Sequence, residues 1–339
     1  MIGFFQKPNL NLSEAQLFWC QFSNSQFGRV WFCELKRNGR PMISLRHILV
    51  ATDFSAISIV ALRHALGIAR RYNSNVSLLH VIDPAVYGIA GPDGISAETE
   101  VALRDAGRIE ANLRSEGSLE GLRLDFAVEV GPVWKTIAEA INVERPGALV
   151  LGTRGRTGLR KLALGSVAES AFREAPCPVL TVGPKVLRSK SSGAEAKGFL
   201  IPTDLSPESM QALPYGISLA RGASSQLTLL HVLNSWAKGR NQNVETVRAV
   251  ETRLREFLRL HQSTESMARF MVDAGPPAQV IVSVAEQHHM DLIVMGLRAW
   301  SGEAQPMWRT AYAVVTHALC PVISMKTQAP SDADPTSKR

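Results

Sequence analysis

The chain carries one pattern twice. RHILVATDFS at 46–55 returns as GFLIPTDLS at 198–206, and SLLHV at 77–81 returns as TLLHV at 228–232. VGP at 130–132, ALVLG at 148–152 and CPV at 177–179 return as AGP at 274–276, LIVMG at 292–296 and CPV at 320–322. The matches keep their order, and their spacing narrows only from 151 to 143 residues along the chain. Whatever fold one unit adopts, the other must adopt too, and 339 residues suffice for two such cores.

Within the first unit, apolar runs predict strands over about 46–51, 75–82, 123–130, 147–152 and 178–183. Helical segments are expected over about 56–72, 97–116, 132–145 and 165–174, with Ser55 and Pro132 marking two helix starts. Apolar strands alternating with helices imply a parallel sheet covered on both faces. Right-handed crossovers leave few topologies, and a doubly wound α/β fold with two tandem five-stranded sheets, each of order 3-2-1-4-5, fits. In such sheets ligands bind beyond the carboxyl ends of the strands, where the order reverses. Asp53 follows the first strand and Gly152 ends the fourth, so they stand on the two lips of that crevice.

The segment after the fourth strand, GTRGRTGLRKLALGS at 152–166, is rich in glycine and cations and runs into a helix near Ser166. Glycines permit close backbone approach, and the free N–H groups of a first helical turn attract anions. A phosphate suits this cradle. Arg154, Arg156, Arg160 and Lys161 would add Coulomb attraction, although each also reads simply as a solvated surface charge. Asp53 likewise has a plain alternative as a turn residue at a strand end, with Ser55 the better helix cap.

Charge, cysteines and hydropathy narrow the function classes. The net charge is +7, yet residues 44–187 hold sixteen basic and fifteen acidic side chains, so no concentrated basic face for nucleic acid is expected. No apolar run is long enough to span a bilayer, and no signal peptide is evident. Cys20, Cys33, Cys177 and Cys320 form no C-x-x-C pair, which suits reduced thiols and a cytoplasmic location. No Gly-Lys pair exists for a Walker loop, and no G-x-S-x-G elbow occurs. His80 and His231 end the second strand of both copies, a repeated place that reads first as structural.

The loop follows G-x₂-G-x₉-G-[ST], through Gly152, Gly155, Gly165 and Ser166. With VATDFS after the first strand, His80-Val81 ending the second and Gly131 before a helix, it resembles the universal stress protein family, over about 44–326 as two tandem copies. The resemblance implies an adenine-nucleotide α-hydrolase-like fold and a loop of the nucleotide-binding branch. It implies ATP in the first unit, with Mg²⁺ or Mn²⁺. Carried over by position, Ala51, Thr52 and Asp53 would line the adenine and ribose region, and the backbone of Val81 would read the adenine edge. Gly152 and Gly155 would approach ribose and phosphates, and Gly165, Ser166 and the N–H of Val167 would hold the phosphates. Side chains at 152, 155 or 165 are expected to fill phosphate space.

The second unit departs from the pattern. It keeps Asp204, Val232, Gly275 and Gly296, but Ala299 replaces the second loop glycine, Arg309 falls where the third should stand, and Trp300 and Trp308 add bulk. It is expected to serve as scaffold. The resemblance also implies pairing through the last strands, so that Val179–Val182 and Val322–Met325 would join the two units within one chain, with a homodimer also open. The expected divisions are an N-terminal extension at 1–43, a first domain at 44–185, a linker at 186–197, a second domain at 198–326 and a disordered tail at 327–339. Met42 would open a natural first strand and is a candidate start; a native peptide from residues 1–41 would refute that. The rival reading is an aromatic-rich extension packed on a partner or on the second unit. The functional expectation is an ATP-binding regulatory protein, with a weak ATPase, slow and without a dedicated base, or an interaction module without nucleotide as alternatives.

Overall fold

The computed structural model describes residues 34–37, 40–43, 45–89, 91–153, 164–188, 198–233, 235, 240–260, 268–297 and 309–326. A short antiparallel hairpin, β1 (Glu34–Arg37) and β2 (Arg40–Ile43), precedes the first unit. That unit comprises β3 (His47–Thr52), α1 (Ala56–Tyr72), β4 (Asn75–Ile82), α2 (Pro84–Tyr87), α3 (Gly91–Ser115), β5 (Leu124–Val130), α4 (Val133–Glu144), β6 (Ala148–Gly152), α5 (Ser166–Glu174) and β7 (Val179–Val182). The second comprises β8 (Gly198–Thr203), α6 (Pro207–Gly222), β9 (Gln226–Leu233), α7 (Arg240–Leu260), β10 (Ala268–Ala274), α8 (Pro277–Gln287), β11 (Leu292–Leu297), α9 (Arg309–His317) and β12 (Val322–Lys326).

Each unit has the expected order, β5-β4-β3-β6-β7 and β10-β9-β8-β11-β12, with parallel pairing throughout. The two sheets are not separate. β12 pairs antiparallel with β7, Val322 opposite Thr181 and Ser324 opposite Val179, and the result is one ten-stranded sheet. The Thr181 hydroxyl also donates to the Val322 carbonyl at 3.1 Å across this seam.

The inner strands β3, β6, β7, β8, β11 and β12 are buried on both faces, as their unbroken apolar runs require, while the outer strands β5 and β10 are only half-buried. α1 turns Ile57, Ala61, Leu62, Ala65, Leu66 and Ala69 onto one face of the sheet, starts at a Ser55 cap and stops at Asn73 in the left-handed region. On that face the core runs without a break from Leu62 and Leu66 to Ala212, Leu213 and Tyr215 of the second unit. On the other face Ala168, Ala171 and Phe172 of α5 share a core with Ala311, Val314 and Val315 of α9. Both cores cross the seam.

Three sequence boundaries need correction. The first strand of the sheet begins at His47, not Met42; Met42 lies in the preceding hairpin, opposite Leu35, and β2 runs beside α6 of the second unit. Val186, expected in the linker, is buried within a 3-10 turn over Val186–Arg188, so its apolar side chain belongs to the core. α3 begins at Gly91 rather than near 97, because its glycines and Pro92 fall within the first turns, where a helix tolerates proline. The expected tail lies outside the described residues. Among the described residues no helix is long and apolar enough to cross a membrane.

Candidate functional site

The turn after β3 is built from four side chains. The Thr52 hydroxyl accepts the Phe54 N–H at 3.0 Å and lies 3.0 Å from the Ser58 hydroxyl. Asp53 Oδ1 accepts the Ser55 N–H at 3.1 Å, and the Ser55 hydroxyl accepts the Ser58 N–H at 3.4 Å, capping α1. These bonds hold Phe54 at φ 61°, a conformation a non-glycine residue rarely adopts. The Phe54 ring lies 4.6 Å from the His80 ring, and His80 Nδ1 is 2.8 Å from the Thr52 carbonyl.

The second unit repeats this turn. Thr203 reaches Ser209 at 2.8 Å and the Leu205 N–H at 3.0 Å, Leu205 stands at φ 64°, and His231 Nδ1 is 2.8 Å from the Thr203 carbonyl. The strained residue and both histidines therefore belong to the strand-to-helix turn itself, in agreement with the structural reading of His80 and His231. Thr52→Val removes the shared hydroxyl from this buried position and is expected to destabilise the protein by about 1–2 kcal/mol in urea denaturation. An unchanged midpoint would show that the turn holds without it.

β3 and β6 lie side by side, from Ile48 opposite Ala148 to Ala51 opposite Leu151. Their carboxyl ends bring Ala51, Thr52 and Asp53 next to Gly152. The β3–β4 register ends at Thr52 opposite His80, so Val81 extends past the end of β3 on the same rim. Ile82 ends β4, and its carbonyl accepts the N–H of Gly131 at 2.9 Å, two residues before α4 begins at Val133.

α5 supplies the last part of the rim. Its cap residue is Gly165, at φ −64°, ψ 151°, and no side chain caps this end. The first intrahelical bond runs from the Glu169 N–H to the Gly165 carbonyl, so the amides of Ser166, Val167 and Ala168 precede it. Ser166 is exposed. α1, by contrast, has its first turn closed by Ser55. The Gly165 N–H donates to the Thr153 carbonyl at 2.8 Å, which draws together the two ends of the intervening loop. Residues 154–163, with Gly155 and the four loop cations, lie outside the described residues, as do 298–308 of the second unit.

The duplicated units, the 3-2-1-4-5 order and the uncapped helix at the rim meet a decisive match. The family model described as the universal stress protein family fits residues 44–183 and again 196–326. The chain belongs to the universal stress protein family. A universal stress protein of Methanocaldococcus jannaschii is 28% identical over 147 residues, 43% of this chain and 85% of the relative. A second from the same organism is 28% identical over 155 residues, 41% of this chain and 96% of the relative. The crystal structure of a universal stress protein from Archaeoglobus fulgidus has the same fold across both units. Its TM-score is 0.64 at 20% identity, covering 83% of this chain and 96% of that one.

In this universal stress protein Gly152 has a packing role that the sequence reading missed. A β-carbon there would come within 2.6 Å of Ile57 Cγ2 and 3.3 Å of the Ser58 nitrogen, in the first turn of α1. Its space is filled by a helix. Gly296 is the same: a β-carbon would strike the Glu208 carbonyl oxygen and lie 2.8 Å from Ser209 Cα. The second unit thus retains this glycine for packing, whatever becomes of its loop. Sequence reading also missed Leu164 and Tyr312. The Tyr312 hydroxyl lies 2.7 Å from the Leu164 nitrogen and accepts its N–H, and the two residues are 148 positions apart. No local pattern signals such a pair.

Proposed function

We propose that this protein binds one molecule of ATP as a regulatory ligand, at the carboxyl rim of the first unit's sheet. The observation that carries this reading is the uncapped start of α5 at a glycine, beside the crevice between β3 and β6. Three amides there precede the first intrahelical bond, and the helix dipole adds to their pull on an anion. Asp53 and the Val81 backbone stand on the same rim, where the ribose and adenine would lie.

Among the described residues no group of three His, Cys, Asp or Glu side chains could hold a metal. A Mg²⁺ or Mn²⁺ would arrive on the triphosphate, which is how such ions are commonly held, and Asp53, directly after β3, is a carboxylate at the crevice between β3 and β6. The ion would neutralise phosphate charge. His80 is buried, its ring tilted 30° against Phe54, and it lies within hydrogen-bond distance of the Thr52 carbonyl.

Gly165→Val tests the site. The backbone at 165 is open to any L-residue, so the fold should survive. Blocking two amide contacts should cost about 3 kcal/mol, or about a hundredfold in ATP affinity by calorimetry. Unchanged affinity would refute the placement of the phosphates. No heat from Mg–ATP with the native protein would leave the interaction-module reading, and sustained ADP release would favour the ATPase.

A further inference from the structure

We propose that Tyr312, a residue of the second unit, is a positioning residue for the phosphate-binding end of α5 in the first. The proposal rests on the nucleotide reading above. Leu164 and Gly165 are the last two residues before α5. Their consecutive amides are anchored on different units, Leu164 N–H to the Tyr312 hydroxyl at 2.7 Å and Gly165 N–H to the Thr153 carbonyl at 2.8 Å. The Leu164 side chain is buried in the core that Ala311, Val314 and Val315 of α9 share with α5. The start of α5, with the amides that would face the phosphates, is seated against α9 by one polar and one apolar contact.

α9 is itself well fixed. It packs on α8 and β12, and the Val315 carbonyl rests on Gly183, where a β-carbon would collide with it. By the repeat, α5 and α9 superpose with a shift of 143 residues, from Ser166–Glu174 to Arg309–His317, so Tyr312 stands where the first unit has Glu169. A carboxylate at 312 would bring negative charge toward a triphosphate, whereas a phenol accepts the amide bond without charge. The helix that has lost its own glycine cap thus orders its neighbour's.

Tyr312→Phe deletes only the hydroxyl. In the full chain without nucleotide, hydrogen exchange at the Leu164 amide should accelerate at least about tenfold, because its acceptor is gone. Mg–ATP affinity should fall about tenfold, while adenosine, which has no phosphates, should bind as before. Equal losses for ATP and adenosine would reduce Tyr312 to a general structural role and overturn the proposal. Unchanged exchange at Leu164 would overturn the anchor itself. If the native protein bound neither ligand, the nucleotide reading would fail and the phosphate role with it; the exchange result would still decide whether Tyr312 holds Leu164.

Discussion

Gly183→Ala will destabilise the protein by roughly 1–3 kcal/mol, the range of core overpacking. Gly183 follows β7, the first unit's strand at the seam. A single β-carbon there would overlap the Val315 carbonyl oxygen of α9, a backbone atom that no rotamer change can remove. Relief requires α9 to slide, and α9 contributes Ala311, Val314 and Val315 to the core on that face. Urea denaturation should show the loss as a lowered midpoint. Gly107→Ala is the control: it lies within α3, nothing stands within 4 Å of its added carbon, and the change should stabilise by about 0.5–1 kcal/mol. A Gly183→Ala protein as stable as the native one would mean that the seam yields to small displacements.

Acid will weaken the fold through His64. This side chain sits on the buried face of α1; burial lowers its pKa to about 4, against a smaller opposing pull from the Asp291 charge of the second unit. In the unfolded chain the imidazole takes up a proton near pH 6.5. The folded state refuses that proton until pH 4 is approached. Above pH 6.5 both states are neutral and nothing is lost. Between pH 6.5 and 4 the unfolded state binds more protons, so stability is lost as the pH is lowered, by about 3 kcal/mol in all. His64→Leu should remove this part of the loss. Its denaturation midpoint should decline less than the native protein's between pH 7 and pH 4.5, by the equivalent of about 2–3 kcal/mol. Parallel declines would show that His64 already takes up its proton in the fold.

The strand order was legible because buried parallel strands read as unbroken apolar runs, and the duplication supplied two readings of each. β4 at Asn75–Ile82 falls where LLHV and its flanks predict it, and Ser55 caps the helix it was expected to start. The errors have local causes. Gly91, Pro92 and Gly94 look like breakers, yet they form the start of α3. Met42 precedes Ile43 and the apolar run of β3 in sequence but pairs backward, with Leu35, rather than forward into the sheet.

At the candidate site, residue types were legible and their neighbours were not. Gly152 looked like phosphate space, while the helix packed on it, as on Gly296 in the second unit, shows that this glycine serves packing. Asp53 and Asp204 both fasten a turn through the serine two residues on, which accounts for their presence in both units. Gly183 against Val315 and Leu164 against Tyr312 are contacts between residues far apart in sequence, set by how the two units meet, and no periodicity encodes them.

The antiparallel junction of β7 and β12 has a genetic consequence. Two identical chains meeting through such strands would be bound by two-fold symmetry, and every mutation would appear on both sides at once. A tyrosine that helped one half would also replace the residue at the matching place in the other. Duplication within a single chain lifts that restriction. Here Glu169 and Tyr312 occupy equivalent helical positions and have been free to differ. One half can drift while the interface persists, so the loss of glycines from the second loop need not have endangered the first.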